Sequence, residues 1–390
     1  MTDLERILVL WHELESAAAD FVLATVVAVE GPSYRKPGAL MLLTADGRRA
    51  GTISGGCLEA QVASRAWWLT AEGPCIQHYS TAEDDGDRPF GSGCGGVVHL
   101  LLERRATAQP FLAALDGAFS ERSALAVATV LEGPLLGRRA FAGTVLTRSA
   151  HSSMSDGAQG PAAEELQTLA DRSQRSQTSM ESKMEMDGRP VKAWPSYRPA
   201  RPGLAIFGAG DDALPLARLA KELGWFVTLA DGRSHLVKPE RFPAADALSM
   251  LSIADLPVQP GVKPIQEFAR IQPGDAVVVM SHSFEQDSKI LASLLQLQAP
   301  PAYIGVLGPQ RRTRELLAEA GRLLSLPEAE ISTQVDRWMG CLHAPTGLDL
   351  GAESPETIAL SILAEIQKER SIATALPLRD VRGAALAAMP

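Results

Sequence analysis

The sequence predicts an α/β protein with three parts. A Rossmann-like domain built on a parallel sheet occupies residues 200–390, a mixed α/β domain occupies residues 1–147, and a flexible linker at 148–199 joins them. Three observations carry this. Residues 204–233, LAIFGAGDDALPLARLAKELGWFVTLADGR, read as strand, glycine turn, helix, strand and terminal acid. Residues 1–147 mix a helical period with apolar, β-rich runs. Residues 148–199 turn to Ser, Gln, Ala and charge without a sustained period, too polar to bury a core of their own.

Composition narrows the function. The chain has 390 residues, 46% of them hydrophobic, which is room for two or three real cores. A net charge of -9 counts against nucleic acid and anionic membrane as partners. No apolar run approaches the ~20 residues of a membrane span. The N-terminal MTDLERILVLWHELE carries acids in its first turn and reads as an amphipathic helix rather than a signal peptide. The four cysteines include no CxxC pair, which points to free thiols in a reducing compartment. These features predict a soluble cytoplasmic protein.

In chain order, Leu4, Leu8, Trp11 and Leu14 share a helical face, and residues 21–29 form an almost wholly apolar, central strand. EGPSYRKPG at 30–38 is a loop from which Tyr34, Arg35 and Lys36 project. Residues 40–44 and 49–53 flank Ala45-Asp46-Gly47 as a hairpin. The run Ser54-Gly55-Gly56-Cys57 then leads into a helix over 58–69. Cys57 thus stands at a helix N-terminus, where the dipole favours thiolate, behind glycines that leave it open. It is equally a small hydrophobe packed on a turn. Phe90-Gly91-Ser92-Gly93-Cys94-Gly95-Gly96 is a second bare loop around a thiol, whose N–H groups can form an anion nest, and it feeds a strand at 97–102. A helix near 110–119 and a strand at 124–131 close this half.

The Rossmann half opens with the strand at 204–207 and the turn Gly208-Ala209-Gly210; Ala213 takes the place of the third small residue of the dinucleotide fingerprint. Asp231 ends the next strand where an acid would take a ribose hydroxyl, so NAD(P) is one candidate cofactor. Asp211 and Asp212 suit the helix dipole but repel a pyrophosphate. His282 follows the strand at 276–280, in a loop at the ligand-binding edge of such a sheet. Gly308-Pro309-Gln310-Arg311-Arg312 turns into another helix, and Ser354-Pro355-Glu356 starts the last one.

Taken together, SYRKPGALML, GTISGGCLE and GSGCGG in the first half, with GAG…DGR, YIGVLGPQRR and HAPTGLDLGAESPETIALSILAEI in the second, resemble the XdhC/CoxI family. The resemblance covers most of the chain outside the linker. It implies an accessory protein, not an enzyme, that binds molybdenum cofactor and supports its sulfuration with a cysteine desulfurase. Such a protein then delivers the cofactor to an apoenzyme of the xanthine dehydrogenase type, with a homodimer as one form. It further implies that Cys57 and Cys94, and these two only, contact the metal. From the residues themselves, the glycine-rich backbone at Gly55, Gly56 and Gly95, with Arg35 and Lys36 nearby, is the candidate holder of the pterin and its phosphate, and Gly208, Gly210, Asp231 and His282 are the candidates in the Rossmann half. A soft thiolate suits a metal already held by sulfur. The family commonly has histidine where this chain has Asp211, and Cys75 and Cys341 match none of its motifs and are expected to pack. The rival reading is an NAD(P)-dependent oxidoreductase that uses His282 as acid or base.

Overall fold

The computed structural model describes residues 1–80, 96–143, 161–186, 189–251, 256, 265–371 and 373–381. Two compact units result, Met1–Arg201 and Pro202–Pro390.

The first unit begins with α1 (Asp3–Ser16), which Thr2 and Glu5 start with a reciprocal capping box. Then come β1 (Phe21–Glu30), β2 (Leu40–Thr44), β3 (Arg49–Gly51), α2 (Cys57–Leu69), β4 (Cys75–Ser80), β5 (Val97–Arg104) and α3 (Arg105–Glu121). The strands form an antiparallel sheet in the order β3-β2-β1-β5-β4. Phe21 and Leu23 face α1 and α3, while Val22, Ala24 and Val26 face α2. Burial on both sides explains why β1 is apolar throughout.

β6 (Leu125–Val130), β7 (Arg139–Phe141), α4 (Pro161–Ser176), β8 (Ser182–Met186) and β9 (Arg189–Arg198) complete the unit. Their strands make a second antiparallel sheet, β7-β6-β9-β8. This corrects the expectation of a linker over 148–199, because residues 161–186 and 189–198 are a helix and two strands with a shared core. Leu166, Leu169 and Ala170 of α4 and Val191 and Ala193 of β9 pack with Ala126, Ala128 and Val130 of β6. On the opposite face Trp194 closes over Val27, Leu101 and Leu131. The segment is too polar to fold alone, but it borrows apolar surface from strands far away in sequence. The boundary therefore falls at 201/202.

The second unit contains β10 (Gly203–Phe207), α5 (Ala213–Glu222), β11 (Phe226–Asp231), β12 (Ala247–Met250), α6 (Ile265–Phe268), β13 (Ala276–Val279), α7 (Phe284–Leu295), β14 (Tyr303–Val306), α8 (Gln310–Leu323), α9 (Glu328–Met339) and α10 (Pro355–Glu369). All its pairings are parallel, in the order β12-β11-β10-β13-β14, which is the doubly wound Rossmann arrangement. One face packs on α7, α8 and α9 and the other on α5 and α10. Among the described residues no helix is long and apolar enough to cross a membrane.

Candidate functional site

In the first unit the candidate residues gather on loops around the β3–α2 turn. Cys57 is the first residue of α2, and Gly56 before it has φ of 115°, which only glycine adopts without strain. A buried carboxylate clamps this turn. Glu59 accepts from Ile53 N–H (3.1 Å), Ser54 N–H (2.8 Å) and the Ser54 hydroxyl (2.7 Å). The same Ser54 oxygen accepts from Gly56 N–H (3.3 Å) and Leu58 N–H (3.2 Å). Burial by itself pushes the Glu59 carboxyl upward, but these donors outweigh it and hold the group below its usual range. Glu59 therefore already occupies the positive end of α2. Sequence reasoning did not single it out; its signal was an acid in the first turn, two residues after the cysteine.

The 30–38 loop lies against this turn. A Cβ on Gly55 would fall 3.4 Å from the Tyr34 ring. Arg35 donates to Thr52, and its Nη2 lies 3.2 Å from Asp3 Oδ2, so its charge is paired within the chain. Gly96 meets the same loop, since a Cβ there would land 2.3 Å from the Pro32 carbonyl. Cys94 and Gly95 lie outside the described residues. Of the second glycine-framed run only Gly96 is described, and it adjoins the 30–38 loop. At the neighbouring strand ends His78 Nδ1 is 2.8 Å from His99 Nδ1, and His99 Nε2 is 3.0 Å from Glu30 Oε1. Of the two cysteines expected to pack, Cys75 is half-buried in β4, whereas Cys341 is exposed, so that expectation is corrected for Cys341.

In the second unit Gly208, Gly210, Asp231 and His282 all lie at the carboxyl ends of the strands, where Rossmann ligands sit. Asp231 is not an open acceptor. It takes Ala209 N–H at 2.6 Å on Oδ2, and Arg233 binds both oxygens, with Nη2 at 2.7 Å and Nε at 3.0 Å. Burial raises this carboxyl, and the Arg233 and backbone hydrogen bonds more than reverse it, leaving the group lowered. Arg233 Nη2 also reaches the Ser281 carbonyl at 3.2 Å, so the guanidinium spans from β11 to the loop after β13. Other aspartates of this rim are paired as well. Asp287 meets Arg312 at 2.7 Å, Asp211 meets Arg241, and Asp212 lies 3.6 Å from His282 Nε2. His282 has φ of 64°, an uncommon strained conformation for a non-glycine residue. The HAPTG run forms a separate anchor. Tyr303 stacks on His343 at 4.1 Å, and Glu365 accepts from the Tyr303 hydroxyl (2.6 Å) and Gly347 N–H (2.7 Å). These residues tie the loop to α10 and β14. No group of His, Cys, Asp and Glu among the described residues is arranged to hold a metal ion alone.

The chain is 31% identical over 353 residues to a protein of Bacillus subtilis named as a probable subunit of xanthine dehydrogenase, spanning 90% of this chain and 93% of that protein. It belongs to the XdhC and CoxI family. The XdhC and CoxI pattern matches residues 14–80, and the XdhC Rossmann domain matches residues 204–366. A second relative, the molybdenum cofactor insertion chaperone PaoD of Escherichia coli, is 25% identical over 358 residues, covering 90% of this chain and 83% of PaoD. The fold is similar to the crystal structure of a xanthine dehydrogenase from Bacillus halodurans, with a TM-score of 0.68 and 27% identity over 98% of this chain and 99% of that one. The XdhC and CoxI match takes in Arg35, Gly55, Gly56 and Cys57 and stops before Cys94, while the XdhC Rossmann match takes in Gly208, Gly210, Asp231 and His282.

Proposed function

We propose that this protein binds molybdenum cofactor as cargo, supports its sulfuration by a cysteine desulfurase, and passes it to an apoenzyme of the xanthine dehydrogenase type. The observation that carries the reading is the open glycine turn that leads into Cys57 and is flanked by the 30–38 loop. Cys57 is the first residue of α2, Gly55 just before it meets the Tyr34 ring, and Gly96 meets the Pro32 carbonyl of the same loop. The names of the relatives, one an insertion chaperone and one part of a dehydrogenase, support it. In this reading Cys57 and Cys94 supply soft sulfur to the metal, and Gly55, Gly56 and Gly95 let a flat pterin approach the backbone. The Ser54–Glu59 clamp keeps the turn in place whether or not cargo is present.

The test is retention. Wild type, Cys57→Ala and Cys94→Ala are each purified after exposure to the cofactor, and bound molybdenum and pterin are measured. Both variants are expected to lose most of the cargo; retention equal to wild type in both sinks the reading.

The parallel strand order favours one alternative, a nicotinamide-dependent oxidoreductase using His282. Its weakness is that the carboxylate needed for the ribose is already committed to Arg233 and Ala209.

A further inference from the structure

Arg198 ends β9, in the stretch whose composition suggested a linker. Its neighbours on the same strand face identify where it points. Trp194 packs on Val27 and Leu101 of the first sheet, and by the two-residue period of a strand Ser196 and Arg198 share that face. The Arg198 Nη2 donates to the Gly38 carbonyl at 2.8 Å, so the guanidinium is inserted where the 30–38 loop rejoins β2. Among the described residues no carboxylate pairs with it. Burial alone acts on the group and lowers it from its ordinary value. The contrast with Arg35 is direct, since Asp3 and Thr52 already engage that residue.

A guanidinium partly withdrawn from water without a counter-charge is costly to keep. One bond to a carbonyl uses one of its five N–H donors. A second observation comes from the facing strand. Thr25 is 2% exposed, and its hydroxyl has no hydrogen-bond partner among the described residues. It lies on β1 between Leu23 and Val27, which face the second sheet's side, and it is in register with Leu40, two residues beyond Gly38. Arg198 reaches the Gly38 carbonyl and Thr25 is in register with Leu40, so the cation and the hydroxyl flank the same entry to β2.

We propose that Arg198, with Thr25, is the receptor for a phosphate-class oxoanion carried by the ligand of the first unit. A guanidinium offers a planar fork of donors that fits two phosphate oxygens. The identity of the natural ligand, the terminal phosphate of a pterin, rests on the proposed function above; the anion site itself does not. It reassigns the phosphate contact from Arg35 to Arg198.

The probe is inorganic phosphate added to the full-length protein, with binding read from the rise in thermal midpoint and from calorimetry. Wild type is expected to bind phosphate, with chloride at equal ionic strength giving no response. Arg198→Gln is expected to weaken binding by about tenfold or more, the scale of losing one charge-assisted contact. Arg198→Lys keeps the charge and should restore part of it, and Thr25→Val covers the case in which the arginine variants fold poorly. Arg35→Ala should bind as wild type does. Absence of phosphate binding to wild type, or equal binding by Arg198→Gln, overturns the proposal. Cys57→Ala should still bind phosphate, so failure of the thiol assignment and failure of the anion site remain distinguishable.

Discussion

Glu59 has no cation partner among the described residues, so donors alone keep its charge buried. Replacing it with Leu strands the N–H groups of Ile53 and Ser54, at a cost of about 2–4 kcal/mol for two buried donors left unmet. Gln, which can still accept both on one oxygen, is expected to cost less. Urea denaturation of the two variants checks this, and equal losses would contradict the clamp. Asp231 makes a pH-dependent contribution instead. Its carboxyl is lowered in the folded protein, so its stabilisation is fully present above the ordinary carboxyl value of about 3.9 and is lost as pH falls through the lower folded value. Asp231→Asn should therefore be less stable than wild type at neutral pH, by about 2 kcal/mol, with the gap closing below about pH 4. A gap that stays constant down to acid unfolding would show that the Arg233 contact does not depend on the charge. At this scale sequence reading recognised the cysteines and Asp231 by type and spacing. It did not reach Glu59, Arg233 or Arg198, because what matters about them is which partner they have or lack.

The elements differ in how plainly they could be read. β10 and β11 are short apolar runs closed by glycine or acid, β13 is one opened by Gly274-Asp275, and burial on both faces of a parallel sheet leaves little else for such runs to be. α10 announced itself through Ser354, Pro355 and Glu356, and its capping is as expected. β9 was hidden for a physical reason. It pairs on both sides, with β6 and β8, yet contains Pro190 and Pro195, residues that cannot donate to a ladder and usually exclude an inner strand. Its Lys192 and Arg189 further dilute the apolar signal. Leu169→Ala discriminates between a linker and a packed element. Leu169 is 6% exposed, and its truncation should cost about 2–4 kcal/mol by urea denaturation. A linker leucine would cost almost nothing.

For the molecule as a whole, the α/β class and a Rossmann second half were legible because β-α-β order restricts a parallel sheet to few topologies. Its ligand was not, because the rim that could receive a dinucleotide is filled by its own ion pairs. NAD at about 1 mM should accordingly leave the thermal midpoint of the full chain unmoved, since only a ligand that binds the folded state raises it. A concentration-dependent rise would restore the oxidoreductase reading. The pairing of β9 with β6 also decides how the halves may be transplanted. A chimera spliced near residue 150 would leave its donor half without the strand that covers Val27 and Leu101. A junction at 201/202 carries each sheet across entire, so swapping halves between relatives at that point is the clean way to test which half would select the recipient under the proposed function.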